Sequence, residues 1–314
     1  MNEQPELLVL IPLAESTLTQ LRRAAAPIAL RHAPQGLDWQ DPALAGVRYV
    51  LTNGSTGLSA AQMQALPSLQ WVAAFGAGYE NIDLPAAQQR KLWVTHASGA
   101  NDATVADHAM ALLLGIARGV HLLDGAVKAG QWDSVRSARP AIHGKRLGLI
   151  GLGNIGAKIA RRASGFDMEI GYHTRQPRAG LPYRHFPDAL ALAAHSDYLV
   201  LACPGGQATR HLVDAAVLEA LGPQGFLINI ARGSVVDTAA LVSALQTGGI
   251  AGAALDVFEG EPVLPAAMSD LPNLLLTPHV SGRSPESQQA QVDMFLACLA
   301  AVTAGAAPPH QVRP

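Results

Sequence analysis

The stretch Leu147–Gly156 reads LGLIGLGNIG and carries the strongest fold signal in this chain. It begins with a short apolar run, Leu147–Ile150, of the kind that forms a buried parallel strand. Gly151, Gly153 and Gly156 follow this run at the spacing GxGxxG. Between a strand and a helix, this spacing is typical of a turn that binds a dinucleotide.

Residues that favour a helix continue from Ala157 to Ala163, so the motif has the required context. The first glycine allows the tight turn, the second lets a pyrophosphate approach the backbone, and the third lets helix and strand pack closely. The free N–H groups at the helix N-terminus face the phosphates. We predict cofactor contacts at Gly151, Gly153, Asn154 and Ile155, with a purely structural turn as the alternative.

The composition is that of a globular protein large enough for two domains, since 314 residues are 49% hydrophobic and 15% charged. A net charge of −2 provides no basic face for nucleic acid or an anionic membrane. Cys203 and Cys298 are far apart in apolar surroundings, which favours reduced thiols, and no Cys/His spacing suits a metal. No apolar run is long enough to span a bilayer. We predict a cytoplasmic protein with no metal, nucleic acid or membrane partner.

Strand-like and helix-like segments alternate along the chain, which predicts parallel sheets with right-handed crossovers. The remaining predicted strands are Leu7–Leu10, Val47–Thr52, Gln70–Ala74, Trp93–Thr95, Glu169–Tyr172, Tyr198–Ala202, Phe226–Asn229, Gly252–Asp256 and Leu274–Leu276. Long helices are predicted at Asp102–Arg118 and Pro285–Thr303. In such doubly wound sheets, ligands bind beyond the C-terminal ends of the strands.

Charged side chains follow three of these strands. Arg232 follows one, Glu259 and Glu261 follow the next, and His279 follows the last. Arginine can bind a carboxylate with two parallel hydrogen bonds, and histidine can donate a proton near neutral pH. A nearby glutamate orients a histidine and raises its pKa. This set of residues is suited to the reduction of a keto acid.

The residues after Glu169–Tyr172 bear on cofactor choice. A carboxylate at this position binds the ribose 2′-hydroxyl of NAD, but here His173, Thr174 and Arg175 follow the strand. A guanidinium, a hydroxyl and an imidazole form a pocket suited to a 2′-phosphate. We predict a preference for NADP(H), with NAD(H) possible.

These motifs together resemble those of the D-2-hydroxyacid dehydrogenase family, and of its glyoxylate/hydroxypyruvate reductases in particular. The ordered motifs are FGAGYENID from Phe75, TVADHA from Thr104, GLGNIG, INIARGSVVD, ALDVFEGEP and LTPHVSG. The resemblance implies that Arg232 binds the substrate carboxylate, that His279 is the acid/base and that Glu261 is its partner. It also implies a substrate that is a small 2-keto acid and a product that is the D-2-hydroxy acid.

The family's architecture implies two Rossmann-like domains of doubly wound parallel sheets in an α/β fold. A nucleotide-binding domain, 100–283, is inserted into a flavodoxin-like substrate domain formed by 1–99 and 284–314. The active site is expected in the cleft between them, in a homodimer. We expect substrate contacts at Ala77, Gly78 and Asn53, and further cofactor contacts at Cys203, Pro204, Ala231 and Asp256.

Two alternatives stay open at this point: an NAD-dependent dehydrogenase of the phosphoglycerate, D-lactate or formate type, and a non-catalytic NADP(H)-binding sensor or corepressor. Ala77 stands where a larger residue is common in the family, so the size of the pocket is open. We interpret Arg283 as a cap of the final helix, with a side chain that reaches the cleft as the alternative, and Trp132 as a core or interface aromatic, with a place at the edge of the active site as the alternative. Eight further histidines are interpreted as surface or structural, with His96 and His108 closest to the predicted cleft; the eight are His32, His96, His108, His121, His143, His185, His195 and His211.

Overall fold

The computed structural model describes residues 6–312 and divides the chain into two compact units. One unit comprises the chain up to Asn101 and from Ser284 onward, and the other is Asp102–Arg283. The first boundary lies two residues beyond the one expected from the sequence, because a long helix begins at Asp102.

The first unit contains a five-stranded parallel sheet with the order β2-β1-β3-β4-β5. This is the flavodoxin-like order. Its elements are β1 (Glu6–Val9), α1 (Glu15–Ala24), β2 (Ala29–His32), β3 (Val47–Thr52), α2 (Ala60–Gln64), β4 (Trp71–Ala74), α3 (Leu84–Gln89) and β5 (Trp93–His96). The sequence did not predict β2, which forms the outer edge of the sheet and has no fully buried residue.

Side chains on β1 show how the sheet builds a core on both faces. Leu7 and Val9 belong to one buried cluster, whereas Leu8 belongs to another. Because successive side chains of a strand point to opposite faces, a continuous apolar run is needed where both faces are covered. This explains why the strands of this chain are apolar runs and do not alternate with polar residues.

The second unit is a seven-stranded parallel sheet with the order β12-β11-β10-β9-β6-β7-β8, which is Rossmann-like. Its strands are β6 (Arg146–Ile150), β7 (Glu169–His173), β8 (Arg184–Phe186), β9 (Tyr198–Leu201), β10 (Phe226–Asn229), β11 (Gly252–Leu255) and β12 (Leu274–Leu276). Its helices are α4 (Asp102–Arg118), α5 (Val120–Lys128), α6 (Asn154–Ser164), α7 (Ala189–His195), α8 (Ala215–Leu221) and α9 (Thr238–Thr247). The predicted fold class is confirmed by both sheets.

Helix α4 has the bounds predicted from the sequence, and it packs against β10, β11 and α6. Gly119 then adopts a φ of +64°, and α5 begins at the next residue. The sequence did not predict α5, none of whose residues is buried. Within residues 6–312 no single helix is long and apolar enough to cross a membrane, although α4 and α5, bent by 58° at their junction, reach that length and composition together.

The chain returns to the first unit in α10 (Pro285–Thr303), with the bounds predicted. Phe295 of this helix stacks on Trp71 with ring centroids 5.0 Å apart. Beyond α10 the chain runs beside β5, where Val312 N–H donates to Val94 O at 2.9 Å and Gln311 pairs antiparallel with Thr95. The open edge of β5 is thus covered by the C-terminal segment 310–312.

Candidate active site

The glycine turn between β6 and α6 has the geometry that its spacing predicts. Gly151 adopts a φ of +96°, and a Cβ there would lie 2.7 Å from the Ala202 carbonyl group. A Cβ on Gly156 would overlap the carbonyl oxygen of Gly151, so this glycine is needed for helix and turn to pack. Both positions therefore require glycine for reasons internal to the fold.

Gly153 differs from the other two glycines because a Cβ there would meet no atom within 4 Å. It is the N-cap of α6, and no side chain caps the helix. The first N–H groups of α6, at Asn154 and Ile155, are therefore exposed beside open space, which suits a phosphate. This cradle fits the pyrophosphate of a dinucleotide.

The end of β7 carries the residues predicted to choose the cofactor. His173 Nδ1 donates to Phe186 O at 3.0 Å, which fixes the ring and leaves Nε2 for a ligand. The Thr174 hydroxyl donates to Gln176 O at 2.7 Å, so its proton is used within the turn. Arg175 is exposed and free of ion pairs within the part of the chain described. Of these three residues, Arg175 is the best suited to bind a phosphate.

Cys203 and Pro204 follow β9 and lie beside the glycine turn, since Gly151 also approaches Cys203 N. The Thr209 hydroxyl donates to Pro204 O at 2.8 Å and holds this loop. Burial raises the pKa of the Cys203 thiol to about 11, so the thiol stays protonated at neutral pH. The loop is placed for cofactor contact, but Cys203 has no nucleophilic character.

The turn after β10 is organised by Asn229, whose side chain is buried. Its Nδ2 donates to Arg232 O at 3.0 Å, and its Oδ1 accepts from Ala231 N–H at 2.9 Å. The Arg232 guanidinium donates to Ala231 O at 2.7 Å, and its aliphatic part lies where a Cβ on Gly205 would be. Asn229 therefore fixes the backbone from which Arg232 extends.

Glu261 and His279 lie within hydrogen-bonding distance of each other. His279 Nδ1 lies 2.7 Å from Glu261 Oε2, and the other carboxylate oxygen accepts from Phe258 N–H at 2.9 Å. Burial raises the pKa of Glu261, but the hydrogen bonds from His279 and Phe258 outweigh it and leave the pKa below its ordinary value. An ionised carboxylate can only accept a hydrogen bond, so Nδ1 of His279 carries the proton in this contact. The other ring nitrogen, Nε2, lies on the opposite side of the ring and faces away from Glu261.

Asp256 holds the loop that carries His279. This carboxylate is fully buried and accepts from the Thr277 hydroxyl at 2.6 Å and from the N–H groups of Val280 and Ser281, each at 2.9 Å. Burial raises its pKa, but these hydrogen bonds outweigh burial and lower it overall. The Asp256 carbonyl also accepts from His279 N–H, and His279 has a φ of +53°. The predicted cofactor residue thus has a clear structural role, which the sequence motif alone did not indicate.

Glu259 has a separate set of partners, although it stands only two residues from Glu261. His211 Nε2 lies 2.9 Å from its carboxylate, and the Thr238 hydroxyl donates to it at 2.7 Å. Burial raises its pKa, but these hydrogen bonds lower it overall. Glu259 therefore links the loops after β9, β10 and β11 and is not the partner of His279.

Two further histidines have contacts that sequence reasoning did not find. His108 of α4 lies 3.0 Å from the Thr277 hydroxyl and 3.6 Å from Asp256, and His96 lies 2.9 Å from Ala77 O. Neither contact has a local sequence signal, because the partners are 169 and 19 residues apart. The interpretation of Arg283 as a helix cap is wrong, since Ser284 caps α10 and Arg283 is exposed.

The residues predicted to contact substrate from the first unit lie on two loops. Asn53 Oδ1 accepts from Thr56 N–H at 2.7 Å, so this oxygen is used within its own turn. Gly54 lies so close to Gly78 that a Cβ would be 2.7 Å from its carbonyl carbon. The loop of Ala77 and Gly78 is therefore packed on the loop of Asn53.

Comparison with known proteins identifies the family. The family model described as "D-isomer specific 2-hydroxyacid dehydrogenase, NAD binding domain" matches residues 110–281. The chain is 39% identical over 260 residues to a glyoxylate/hydroxypyruvate reductase of Arabidopsis thaliana, covering 82% of this chain and 83% of the relative. It is 35% identical over 297 residues to 2-ketogluconate reductase of Gluconobacter oxydans, covering 94% of each.

Among solved structures, the NADPH-dependent glyoxylate/hydroxypyruvate reductase of Sinorhizobium meliloti, in complex with NADP and malonate, matches with a TM-score of 0.91. It is 37% identical in sequence, and the match covers 98% of this chain and 97% of that one. Sequence motifs, fold and similarity agree. This chain belongs to the D-isomer specific 2-hydroxyacid dehydrogenase family and is an NAD(P)-dependent oxidoreductase.

Proposed function

We propose that this protein uses NADPH to reduce a small 2-keto acid, of the glyoxylate or hydroxypyruvate type, to the D-2-hydroxy acid. The observation that carries the proposal is the 2.7 Å contact between Glu261 and His279. Glu261 follows β11 and His279 follows β12, which are neighbouring strands of the second unit. The same unit contains the dinucleotide cradle at the start of α6. Arg232 follows the adjacent strand β10 and supplies the cation that a keto acid requires.

In this proposal each residue has one role. Arg232 binds the substrate carboxylate through charge-assisted hydrogen bonds. For the first unit, we propose that the N–H groups of Ala77 and Gly78 bind the substrate carboxylate. His279 donates a proton from Nε2 to the keto oxygen, while Glu261 holds Nδ1 and stabilises the charged ring. When bound in the cradle of Gly151–Ile155, NADPH would supply the hydride for the keto carbon. His279 then regains its proton from solvent.

The preference for NADPH rests on the turn after β7. No carboxylate is present among residues 173–180, so none can bind a ribose 2′-hydroxyl there. We propose that the exposed Arg175 binds the 2′-phosphate, with His173 contributing through Nε2. The relative from Sinorhizobium meliloti, described as NADPH-dependent, supports this assignment.

We also propose that the chain forms a homodimer in the cytoplasm. Exposed large apolar side chains are concentrated on α5 and the segment after it: Val120, Leu122, Val127 and Trp132, which are 57%, 42%, 44% and 61% exposed. Such a patch favours association with a protein surface. Two free cysteines support a reducing compartment. Sedimentation of the purified protein tests the dimer, and a monomer at all concentrations would contradict it.

The first experiment follows the absorbance of the reduced cofactor, comparing NADPH with NADH against glyoxylate, hydroxypyruvate, pyruvate and a bulkier 2-keto acid. We expect NADPH to be preferred and the two small polar acids to be turned over best. A preference for NADH would overturn the cofactor assignment alone. Tight cofactor binding without turnover of any acid would favour the sensor or corepressor alternative.

The role of Arg232 is tested by Arg232→Ala. Each lost charge-assisted hydrogen bond contributes about 1.5–3 kcal/mol, so kcat/KM should fall at least tenfold. The Kd for NADPH should stay the same. Arg210→Ala is the matched control, since Arg210 is half-exposed on a neighbouring loop and lies 3.9 Å from Glu259. Normal kinetics in Arg232→Ala would refute the role of Arg232.

A further inference from the structure

We propose that His96 is a positioning residue for carboxylate recognition, because it orients the peptide group between Ala77 and Gly78. This inference rests on the proposed function, in which the N–H groups of Ala77 and Gly78 bind the substrate carboxylate. It adds a residue that acts through the backbone and does not itself touch the substrate. All the contacts that carry it lie within the first unit.

Two consecutive carbonyl groups of the substrate loop are held from the same side. Gly76 O accepts from Ala97 N–H at 2.9 Å, and Ala77 O lies 2.9 Å from His96 Nδ1. A carbonyl oxygen can only accept, so Nδ1 of His96 must carry a proton and donate it. The side chain of His96 and the backbone of Ala97, at the end of β5, therefore fix two successive peptide planes.

The peptide geometry then determines where the N–H groups point. In a planar trans peptide the C=O and N–H bonds point in opposite directions. Because Gly76 O and Ala77 O face β5, the N–H groups of Ala77 and Gly78 face away from it, side by side. Neither N–H donates to any residue that the structure describes. Two adjacent, unpaired N–H groups on one side of a loop form a concave site that binds an anion.

His96 is itself held firmly. Its ring packs at nearly a right angle to the ring of Tyr79, with centroids 5.1 Å apart and planes at 84°. Its backbone N–H donates to His310 O at 3.1 Å, in the C-terminal segment that covers β5. The imidazole is therefore fixed by the backbone at one end and by an aromatic ring at the other, so it can hold the Ala77 carbonyl in one orientation.

The test compares His96→Leu with His96→Asn. Leucine removes the donor, whereas the Nδ2 of asparagine occupies the same position along the side chain as Nδ1 of histidine and can still donate to Ala77 O. In His96→Leu we expect KM for the keto acid to rise about tenfold, with kcat changed by less than about threefold and the NADPH Kd unchanged. His96→Asn should recover most of the loss, which general loosening of the fold would not allow.

His32→Leu is the matched control, because His32 Nε2 makes a similar contact with a backbone carbonyl, Ile11 O, at 3.0 Å in the same unit. His32→Leu should leave the KM for the keto acid unchanged. Calorimetry with oxamate, a carboxylate that is not reduced, separates the two proposals in the NADPH-loaded protein. If the wild type binds oxamate more tightly than His96→Leu but turns over no keto acid, the proposed reduction is refuted and the role of His96 stands. Equal oxamate affinity in the wild type and His96→Leu would overturn that role.

Discussion

Replacing Glu261 by glutamine tests the central pair of the proposed active site with almost no change in shape. Each oxygen of the Glu261 carboxylate accepts one hydrogen bond, from His279 Nδ1 at 2.7 Å and from Phe258 N–H at 2.9 Å. A glutamine amide has only one oxygen, so it can accept from one of these donors but not from both. If its oxygen faces Phe258, its NH2 group faces Nδ1 and favours the tautomer of His279 that has no proton there.

The magnitude follows from the loss of one charge-assisted hydrogen bond, about 1.5–3 kcal/mol. At about 1.4 kcal/mol per factor of ten, this predicts a fall in kcat of roughly 10- to 150-fold. The effect should appear in kcat more than in KM, because the positive charge on His279 matters most while its proton is being transferred to the keto oxygen. The NADPH Kd should not change.

The assay is steady-state oxidation of NADPH with the best keto acid, measured for Glu261→Gln and for Glu259→Gln as a matched control. Glu259 loses the same charge, but its partners are His211 and Thr238. We expect its kcat to fall by less than about threefold. A kcat for Glu261→Gln within twofold of the wild type would refute the reasoning, because the pair would then be unnecessary for proton transfer.

Two further predictions concern the cradle and the fold. Gly153→Ala should fold normally yet bind NADPH at least about tenfold more weakly, because its Cβ enters open space that the pyrophosphate needs. Gly156→Ala should instead lower Tm, because its Cβ overlaps Gly151 O at a cost of about 1–3 kcal/mol. Equal cofactor affinity in Gly153→Ala and the wild type would contradict the cradle. The hydrogen bond from Arg146 lowers the pKa of Asp197 below 3.8 although burial opposes it, so the free energy of unfolding should fall as pH drops below about 4. In urea titrations, Asp197→Asn should flatten this pH dependence. An unchanged pH dependence in the variant would exclude the Arg146–Asp197 pair as its source.

Sequence analysis found the strands and helices whose own residues show a clear pattern of burial. Buried strands such as β6 and β10 are continuous apolar runs, and α4 and α10 were predicted with their observed bounds. Among the elements that it missed, β2, β8 and α5 are short or exposed. Their conformation depends on edge pairing or on the preceding helix, and these leave little hydrophobic pattern in the sequence.

The sequence by itself determined the fold class, the dinucleotide turn and the residues Arg232, Glu261 and His279 as candidates. These features could be found from the sequence because a glycine spacing, an apolar run and a charged residue after a strand are each visible within a short segment. The family resemblance named Glu261 as the partner of His279, whereas the tertiary structure alone decided that Glu259 pairs with His211 and what orients the peptide of Ala77. Those contacts join distant segments, and their geometry depends on the packing of strands whose ends meet only in the folded chain.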